Sequence, residues 1–240
     1  MSEWLFDLGN TRLKWAPLAA DGQPGAVAAA AHAEGADGWA RLPAGEAAWV
    51  ASVASADATA ALLQALGERH PRVHRVRTLP RLGRLRIAYA DPQALGVDRF
   101  LALLDASEQA RPALVVGVGT ALTLDLLDAD GRHHGGRIAP SPELMRQALH
   151  ARAAQLPATG GAYVDFAATT ADALASGCTG AALALIAQAL SDARARLGSE
   201  VELRLHGGGG AALRPHLPAH VWVPDAVLRG IAHWRRRLLD

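Results

Sequence analysis

The chain has 240 residues, half of them hydrophobic, with 24 Lys+Arg against 23 Asp+Glu and a formal net charge of +1. That length suits one large core or two modest ones, and the even charge excludes a global attraction for nucleic acid or anionic lipid. A single cysteine, Cys178, excludes an internal disulfide.

Two small domains, 1–110 and 111–240, are expected. Much of the apolar content is Ala, and no run of about 18 apolar residues stands out as a bilayer span. The opening Met-Ser-Glu-Trp lacks the basic-then-apolar pattern of a secretory signal, so a cytoplasmic protein is expected, with neither a membrane nor a nucleic acid as partner. Cys178 reads as a packing residue, and Arg235-Arg236-Arg237 as a solvated helix face.

Trp4 to Asp7 and Leu13 to Leu18 are two short apolar runs separated by Gly9-Asn10-Thr11, which predicts strand, tight turn, strand. Of 24 basic residues only Lys14 is lysine, and Asn10 is the chain's one asparagine. Both fall within Asp7 to Lys14. A lysine ammonium is a compact point charge suited to a phosphate oxygen. In the turn, Gly9 lets backbone N–H groups approach an anion, Thr11 adds a hydroxyl, and Asp7 can hold a hydrated Mg²⁺. Turn chemistry alone leaves a plain hairpin about as good a reading; the placement of Lys14 and Asn10 favours phosphate.

A third strand is predicted near Ala26 to His32, followed by a polar, Gly-rich connection. Ala47 to Val53 is a strand, Thr59 to Glu68 a helix, Val73 to Val76 a strand, and the basic stretch Arg77 to Arg86 a loop broken by Pro80 and Gly83. In Tyr89-Ala-Asp-Pro-Gln-Ala-Leu-Gly-Val-Asp-Arg-Phe100, Pro92 bars a regular helix before it. Apolar spacing from Val97 then predicts a helix to about Gln109. Asp98 and Arg99 fall in its first turn, where free N–H groups favour an ionised carboxylate able to take a proton from a hydroxyl. A helix-capping role for Asp98 is the competing reading.

Ala113 to Asp125 repeats the layout of the N-terminus. Phe6-Asp7-Leu8-Gly9-Asn10-Thr11 aligns with Val116-Gly117-Val118-Gly119-Thr120-Ala121, and Gly131 to Ile138 follows as a third run. An internal duplication is expected, each half opening with a three-strand meander, the two turns facing each other across a triphosphate. Ser141-Pro142 begins a helix to Leu156. His133 and His134 read as exposed hairpin residues rather than metal ligands. Residues 158–168 form a loop, Thr169-Thr170-Ala-Asp172 opens a helix, and a long Ala-rich helix runs from about Gly177 to Leu197. Strand Val201 to Leu205 leads into His206-Gly-Gly-Gly-Gly210, where a flat purine or ribose can lie against bare backbone; a flexible turn is the alternative. Val221 to Val223 and a helix from Asp225 to Leu238 close the chain.

In this order the motifs resemble the type III pantothenate kinases, of the acetate and sugar kinase/Hsc70/actin superfamily. The resemblance rests on Asp7-x-Gly9-Asn10-Thr11-x-x-Lys14, Tyr89-x-x-Pro92-x-x-Leu95-Gly96-x-Asp98-Arg99, Gly119-Thr120-Ala121 with Thr123 and Asp125, Gly135-Gly136-x-Ile138, Thr170 with Gly177, and Gly207-Gly208. It implies an α/β fold of duplicated ribonuclease H-like (actin-like ATPase) domains, each a mixed five-stranded sheet flanked by helices. The implied reaction is ATP-dependent phosphorylation of pantothenate, with Asp98 as base and Tyr89, Gly96, Val97, Asp98, Arg99 and Thr170 holding pantothenate. ATP is implied at Asp7, Leu8, Gly9, Asn10, Thr11, Arg12, Leu13, Lys14, Thr120, Gly207 and Gly208, with Mg²⁺ near Asp7 and a homodimer as the assembly. Two departures stand out. The family's Asp two residues before Gly-Thr-Ala, a ligand of K⁺ or NH₄⁺, is Gly117 here, so weak or no dependence on a monovalent cation is expected. Pro140-Ser141 replaces its Pro-Gly. The alternatives are another small-alcohol or sugar kinase of the superfamily, or a nucleotide-binding regulatory protein without transfer activity.

Overall fold

The computed structural model describes residues 2–31, 39, 41–198 and 200–239. Strands β1 (Glu3–Leu8) and β2 (Arg12–Pro17) form the predicted hairpin, with Phe6 opposite Trp15 and Asp7 opposite Lys14. β3 (Ala28–Ala31) pairs antiparallel with β2. It covers the middle of the stretch expected from Ala26 to His32; His32 itself lies outside the described residues, as does much of the connection after it. β4 (Ala47–Ser52) and β5 (Arg72–Arg75) add in parallel, giving the sheet order β3-β2-β1-β4-β5.

Helix α1 (Ala56–Gly67) joins these last two strands, as a parallel crossover requires. Ser55 caps it by accepting the Ala58 amide at 3.2 Å. Its Leu62 and Leu66 meet Phe6, Leu8, Leu13, Trp15, Ala48 and Val50 in one buried cluster. The basic stretch expected as a loop contains a minimal hairpin, β6 (Arg81–Leu82) with β7 (Leu85–Arg86). Gly83 turns it with φ +56°, a conformation L side chains rarely adopt.

After a 3₁₀ turn at Pro92–Ala94 comes α2 (Val97–Ser107). The C-terminal helix α6 (Ala226–Leu239) packs along it. Gly230 lies so close to the Leu101 carbonyl that a Cβ has no room. Asp105, 1% exposed, accepts Arg229 Nε at 2.9 Å and faces His233 Nε2 at 3.3 Å. Arg235 pairs with Glu3, and Arg236 and Arg237 with Glu108. The three arginines therefore hold the helix in place rather than forming a merely solvated face.

The second sheet repeats the first. β8 (Ala113–Val118) is antiparallel to β9 (Ala121–Leu127), β10 (His133–Pro140) lies outside β9, and β11 (Glu202–His206) and β12 (Val221–Trp222) add in parallel beyond β8. The order β10-β9-β8-β11-β12 matches that of the first sheet strand for strand, which establishes the duplication. α3 (Pro142–Arg152) is capped by Ser141, whose Oγ accepts the Leu144 amide at 3.2 Å. This helix stops short of the expected Leu156.

α4 (Thr170–Leu197) is one helix of 28 residues where two were expected. Gly177 and Gly180 do not break it: each costs a helix only about 1 kcal/mol relative to alanine, which the buried face from Ala182 to Ala193 offsets. It is also long and apolar enough to cross a membrane, with a mean hydropathy of 1.6 over its best window. The expectation that no such stretch exists is thus corrected; alanine scores as apolar although it is small. Ala182, Ile186, Ala189, Leu190 and Ala193 are buried against Leu114, Val116, Leu122, Leu124, Leu203 and Leu205, the contact a core helix makes with a sheet. A short helix α5 (Gly210–Leu213) follows the glycine run.

By their contacts, the described residues up to 110 cluster with 129–134 and 225–239, and 111–128 with 135–224. The expected split into continuous halves, 1–110 and 111–240, is corrected on two counts. α6 belongs with α2, and residues 129–134 belong with β6 and β7, where Arg86 N donates to Gly131 O at 2.9 Å and Arg84 Nη2 to Ala129 O at 2.8 Å.

Candidate active site

In the first unit the β1–β2 turn closes with Gly9 N donating to Arg12 O at 3.0 Å. Asn10, Thr11 and Arg12 are exposed at its tip, whereas Leu8 and Leu13 turn into the core and can offer a ligand only their backbone. Gly9 is not forced by space, since a Cβ there would only touch Arg12 O at 3.4 Å. Asp7 sits at the end of β1 with Lys14 opposite and Ala51 alongside in β4. Its carboxyl group is held up to about 7, chiefly by removal from water; Lys14 pulls it down and Asp98 pushes it up. Val53, just past β4, donates its amide to Leu8 O at 3.0 Å, and a Cβ at Gly96 would stand 3.9 Å from Val53 Cγ1, so the start of α2 lies beside the end of β1.

Asp98 sits in the first turn of α2. Its Oδ1 accepts the Arg99 amide at 2.8 Å, the geometry of a carboxylate at a helix N-terminus. Gly96 precedes it with no side chain, and a Cβ there would stand 2.7 Å from the same Oδ1. Arg99 is buried at 7% exposure, and its Nη1 donates to the Tyr89 hydroxyl at 3.3 Å. Val97 is half-buried beside them. The structure brings Tyr89, Gly96, Asp98 and Arg99 together, and beside them stands a residue that sequence reasoning did not place there. His133, expected on an exposed hairpin, is 1% exposed, and its ring lies parallel to that of Tyr89 with centroids 6.0 Å apart. Two adjacent histidines carry no signal for which one faces inward.

In the second unit the β8–β9 turn closes with Gly119 N donating to Ala121 O at 2.9 Å, leaving Thr120 exposed at the tip. Gly117 takes the position of Asp7. A Cβ at 117 would stand 2.7 Å from Thr123 Oγ1 and 2.9 Å from His206 Nε2, so the space an acid would need is filled. His206 is the parallel neighbour of Gly117, as Ala51 is of Asp7. It is the second residue that sequence reasoning missed.

Beyond His206 the glycine run is ordered rather than flexible. Gly207 has φ +89°, and a Cβ there would collide with the Val118 carbonyl, which accepts the Gly209 amide at 3.0 Å. Gly208 is exposed with no atom within 4 Å of a Cβ, and Gly210 abuts the Trp222 ring. Thr170 opens α4 immediately after the cap, where Thr169 Oγ1 accepts the Asp172 amide at 3.2 Å. The Ala162 amide and then the Thr169 hydroxyl hold the Asp172 carboxyl below its usual range.

The family model described as type III pantothenate kinase matches residues 4–192. The type III pantothenate kinase of Stenotrophomonas maltophilia strain K279a is 58% identical over 239 residues, covering 98% of this chain and 97% of that protein. This chain belongs to the type III pantothenate kinase family. As a member of that family it phosphorylates pantothenate in coenzyme A biosynthesis, and kinase activity implies ATP as the second substrate. A protein from Campylobacter jejuni described as a Baf family transcriptional activator superposes with a TM-score of 0.65 at 18% identity, each chain covered to 98%. One from Sinorhizobium meliloti described as a 2-dehydro-3-deoxygalactonokinase gives 0.57 at 18%, with 98% and 99% covered. At such identities these two show the fold alone, which this pantothenate kinase shares.

Proposed function

We propose that Asp98 is the general base of this pantothenate kinase. The supporting observation is that Asp7 faces Lys14 across the hairpin, while Val53, whose amide donates to Leu8 O at 3.0 Å, lies next to the Gly96 that adjoins the Asp98 carboxyl group. The acid of the catalytic segment therefore lies beside the residues read as a phosphate loop. In the reaction the primary hydroxyl oxygen of pantothenate bonds to the γ-phosphorus of ATP, the bond to the bridging oxygen breaks, ADP leaves, and Asp98 takes the hydroxyl proton. Such transfer depends on alignment and charge neutralisation more than on covalent chemistry. Lys14 supplies a fixed positive charge to phosphate oxygens. The backbone amides at the tip of the turn, at Asn10 and Thr11, and the side chains of Asn10, Thr11 and Arg12 bind phosphate, as Thr120 does in the second unit, where bare backbone at Gly207 and Gly208 takes the adenosine. Tyr89, Gly96, Val97, Arg99 and Thr170 hold pantothenate.

Asp7 fits a hydrated Mg²⁺. Among the described residues no group of three or more His, Cys, Asp and Glu forms a metal cage. Mg²⁺ needs no such cage, being bound commonly by one or two carboxylates, waters and substrate phosphates. When bound it supplies neutralising charge to the phosphate oxygens, and a desolvated anion at Asp7 would be stabilised by it. A monovalent cation has no acid at position 117 to bind, and Thr123 with His206 fills that space. Weak or absent K⁺ dependence follows, and a steep requirement in rate against added K⁺ would show that another residue supplies the site.

A homodimer is the proposed assembly, supported by exposed apolar side chains of the second unit: Ile138, Leu149, Val164 and the fully exposed Phe166. The cytoplasm, where ATP is available, is the proposed location. The deciding assay supplies pantothenate and Mg²⁺-ATP and detects 4′-phosphopantothenate. Asp98→Asn is expected to lower kcat about 10²- to 10⁴-fold while ATP binding is kept. Unchanged turnover would remove Asp98 from the mechanism.

A further inference from the structure

We propose that His133 is a positioning residue for the pantothenate site, setting the orientation of Tyr89 and through it that of Arg99. Tyr89 lies in a segment without regular secondary structure, between β7 and the 3₁₀ turn at Pro92–Ala94. No ladder of backbone bonds fixes a side chain there, so its direction depends on what packs against it. His133 makes two such contacts. Its ring lies parallel to the Tyr89 ring at 6° with centroids 6.0 Å apart, and its Nδ1 accepts the Ala88 amide at 3.4 Å. One buried side chain thus holds both the backbone just before Tyr89 and the tyrosine ring itself.

His133 is fixed in turn. The preceding turn at Gly131 has φ +83° and presses on the Arg84 carbonyl, where a Cβ would stand 2.5 Å from the oxygen. Arg132 bridges to Arg86, and Arg86 N donates to Gly131 O at 2.9 Å. The far side of the relay is the Tyr89 hydroxyl, which accepts Arg99 Nη1 at 3.3 Å while the guanidinium carbon sits 5.8 Å from the ring centroid. A guanidinium has a planar fork of donors, so fixing one donor on Tyr89 fixes where the others point. The backbone of Arg99 is already held by the Asp98 carboxylate. Orienting its side chain selects an acceptor group on the substrate at a set distance from the reacting hydroxyl, without touching the chemistry of transfer.

This inference rests on the reading that Tyr89 and Arg99 hold pantothenate, and the test separates the two. His133→Ala is expected to raise KM for pantothenate about tenfold with kcat and KM for ATP changed less than about twofold, as when a positioning contact outside the reacting atoms is lost. His133→Phe keeps a flat ring and is expected to recover most of that loss. The chain has two tyrosines, so protein labelled with 3-fluorotyrosine gives two ¹⁹F lines, assigned with Tyr89→Phe. In ligand-free protein the Tyr89 line is expected to shift and broaden in His133→Ala and to stay sharp in His133→Phe. An unmoved line together with an unchanged KM in His133→Ala overturns the role of His133, whether or not pantothenate binds at Tyr89. A line that responds to His133→Ala but not to added pantothenate in the native protein leaves the ring contact standing and sinks the substrate reading, and with it the positioning role.

Discussion

The two hairpins that open the two sheets share strand order, antiparallel pairing and turn placement, yet their residues divide the available space in opposite ways. At the end of β1 a carboxylate stands at Asp7 beside the small Ala51 and opposite Lys14. At the matching point of β8 the backbone is bare at Gly117, and the bulk comes from its neighbours His206 and Thr123. The turns differ too. Gly9 N closes on Arg12 O, three residues on, whereas Gly119 N closes on Ala121 O, two residues on. A duplicated scaffold has thus kept its backbone plan while moving charge into one copy and out of the other. The first hairpin sets a half-buried acid opposite an ammonium, whereas the second offers a neutral, tightly filled strand end.

The largest test of this contrast removes the charge. Lys14→Met is expected to lower kcat/KM for ATP about 10³-fold, the scale for losing one preorganised charge on a developing anion, whereas Thr120→Ala in the other turn should cost about tenfold. Steady-state kinetics of both variants makes the comparison; equal losses would show that the two turns work alike. A second test exchanges the packing. Gly117→Asp alone should destabilise by about 1–3 kcal/mol, because its Cβ meets Thr123 and His206. Combining it with His206→Ala, which relieves the clash with the ring but not that with Thr123, should recover part of the stability and introduce K⁺ dependence, read from urea midpoints and from rates with added K⁺.

The pH response should also separate the copies. Folded Asp7 keeps its proton to about 7, against an ordinary value of 3.8. Between those values the native state binds more protons than the unfolded one, so stability of the ligand-free protein falls as pH rises through that window. Asp7→Asn is expected to flatten the fall, and added Mg²⁺-ATP to reduce it in the native protein. Denaturation midpoints measured from about pH 4 to about pH 8 check the slope. The smallest effect is reserved for Gly119→Ala, where no atom lies within 4 Å of the added Cβ; a change beyond about 0.5 kcal/mol would mean the turn is more strained than its geometry indicates.

Much of this was legible in the residues. The hairpin at Asp7 to Lys14, its echo at Val116 to Ala121, and the helix start at Asp98 all follow from local patterns, since turns, caps and apolar spacing are written within a few residues. What could not be read were contacts across the sheet. Nothing in the local sequence links His206 to Gly117, because a parallel neighbour is set by a crossover of many residues. His133 was misread for the same reason: its burial depends on β6 and β7, some fifty residues earlier, and on the Tyr89 ring. The unbroken α4 was read as two helices divided near Gly177, but a glycine costs a helix only modestly when packing supports it.

The return of α6 to α2 carries a consequence for biosynthesis. A ribosome emits the whole second sheet before it emits the helix whose Arg229 and His233 meet Asp105. The segment made first is therefore finished last, and a chain cut after Pro224 would leave the groove along Leu101, shaped for Gly230, open to water.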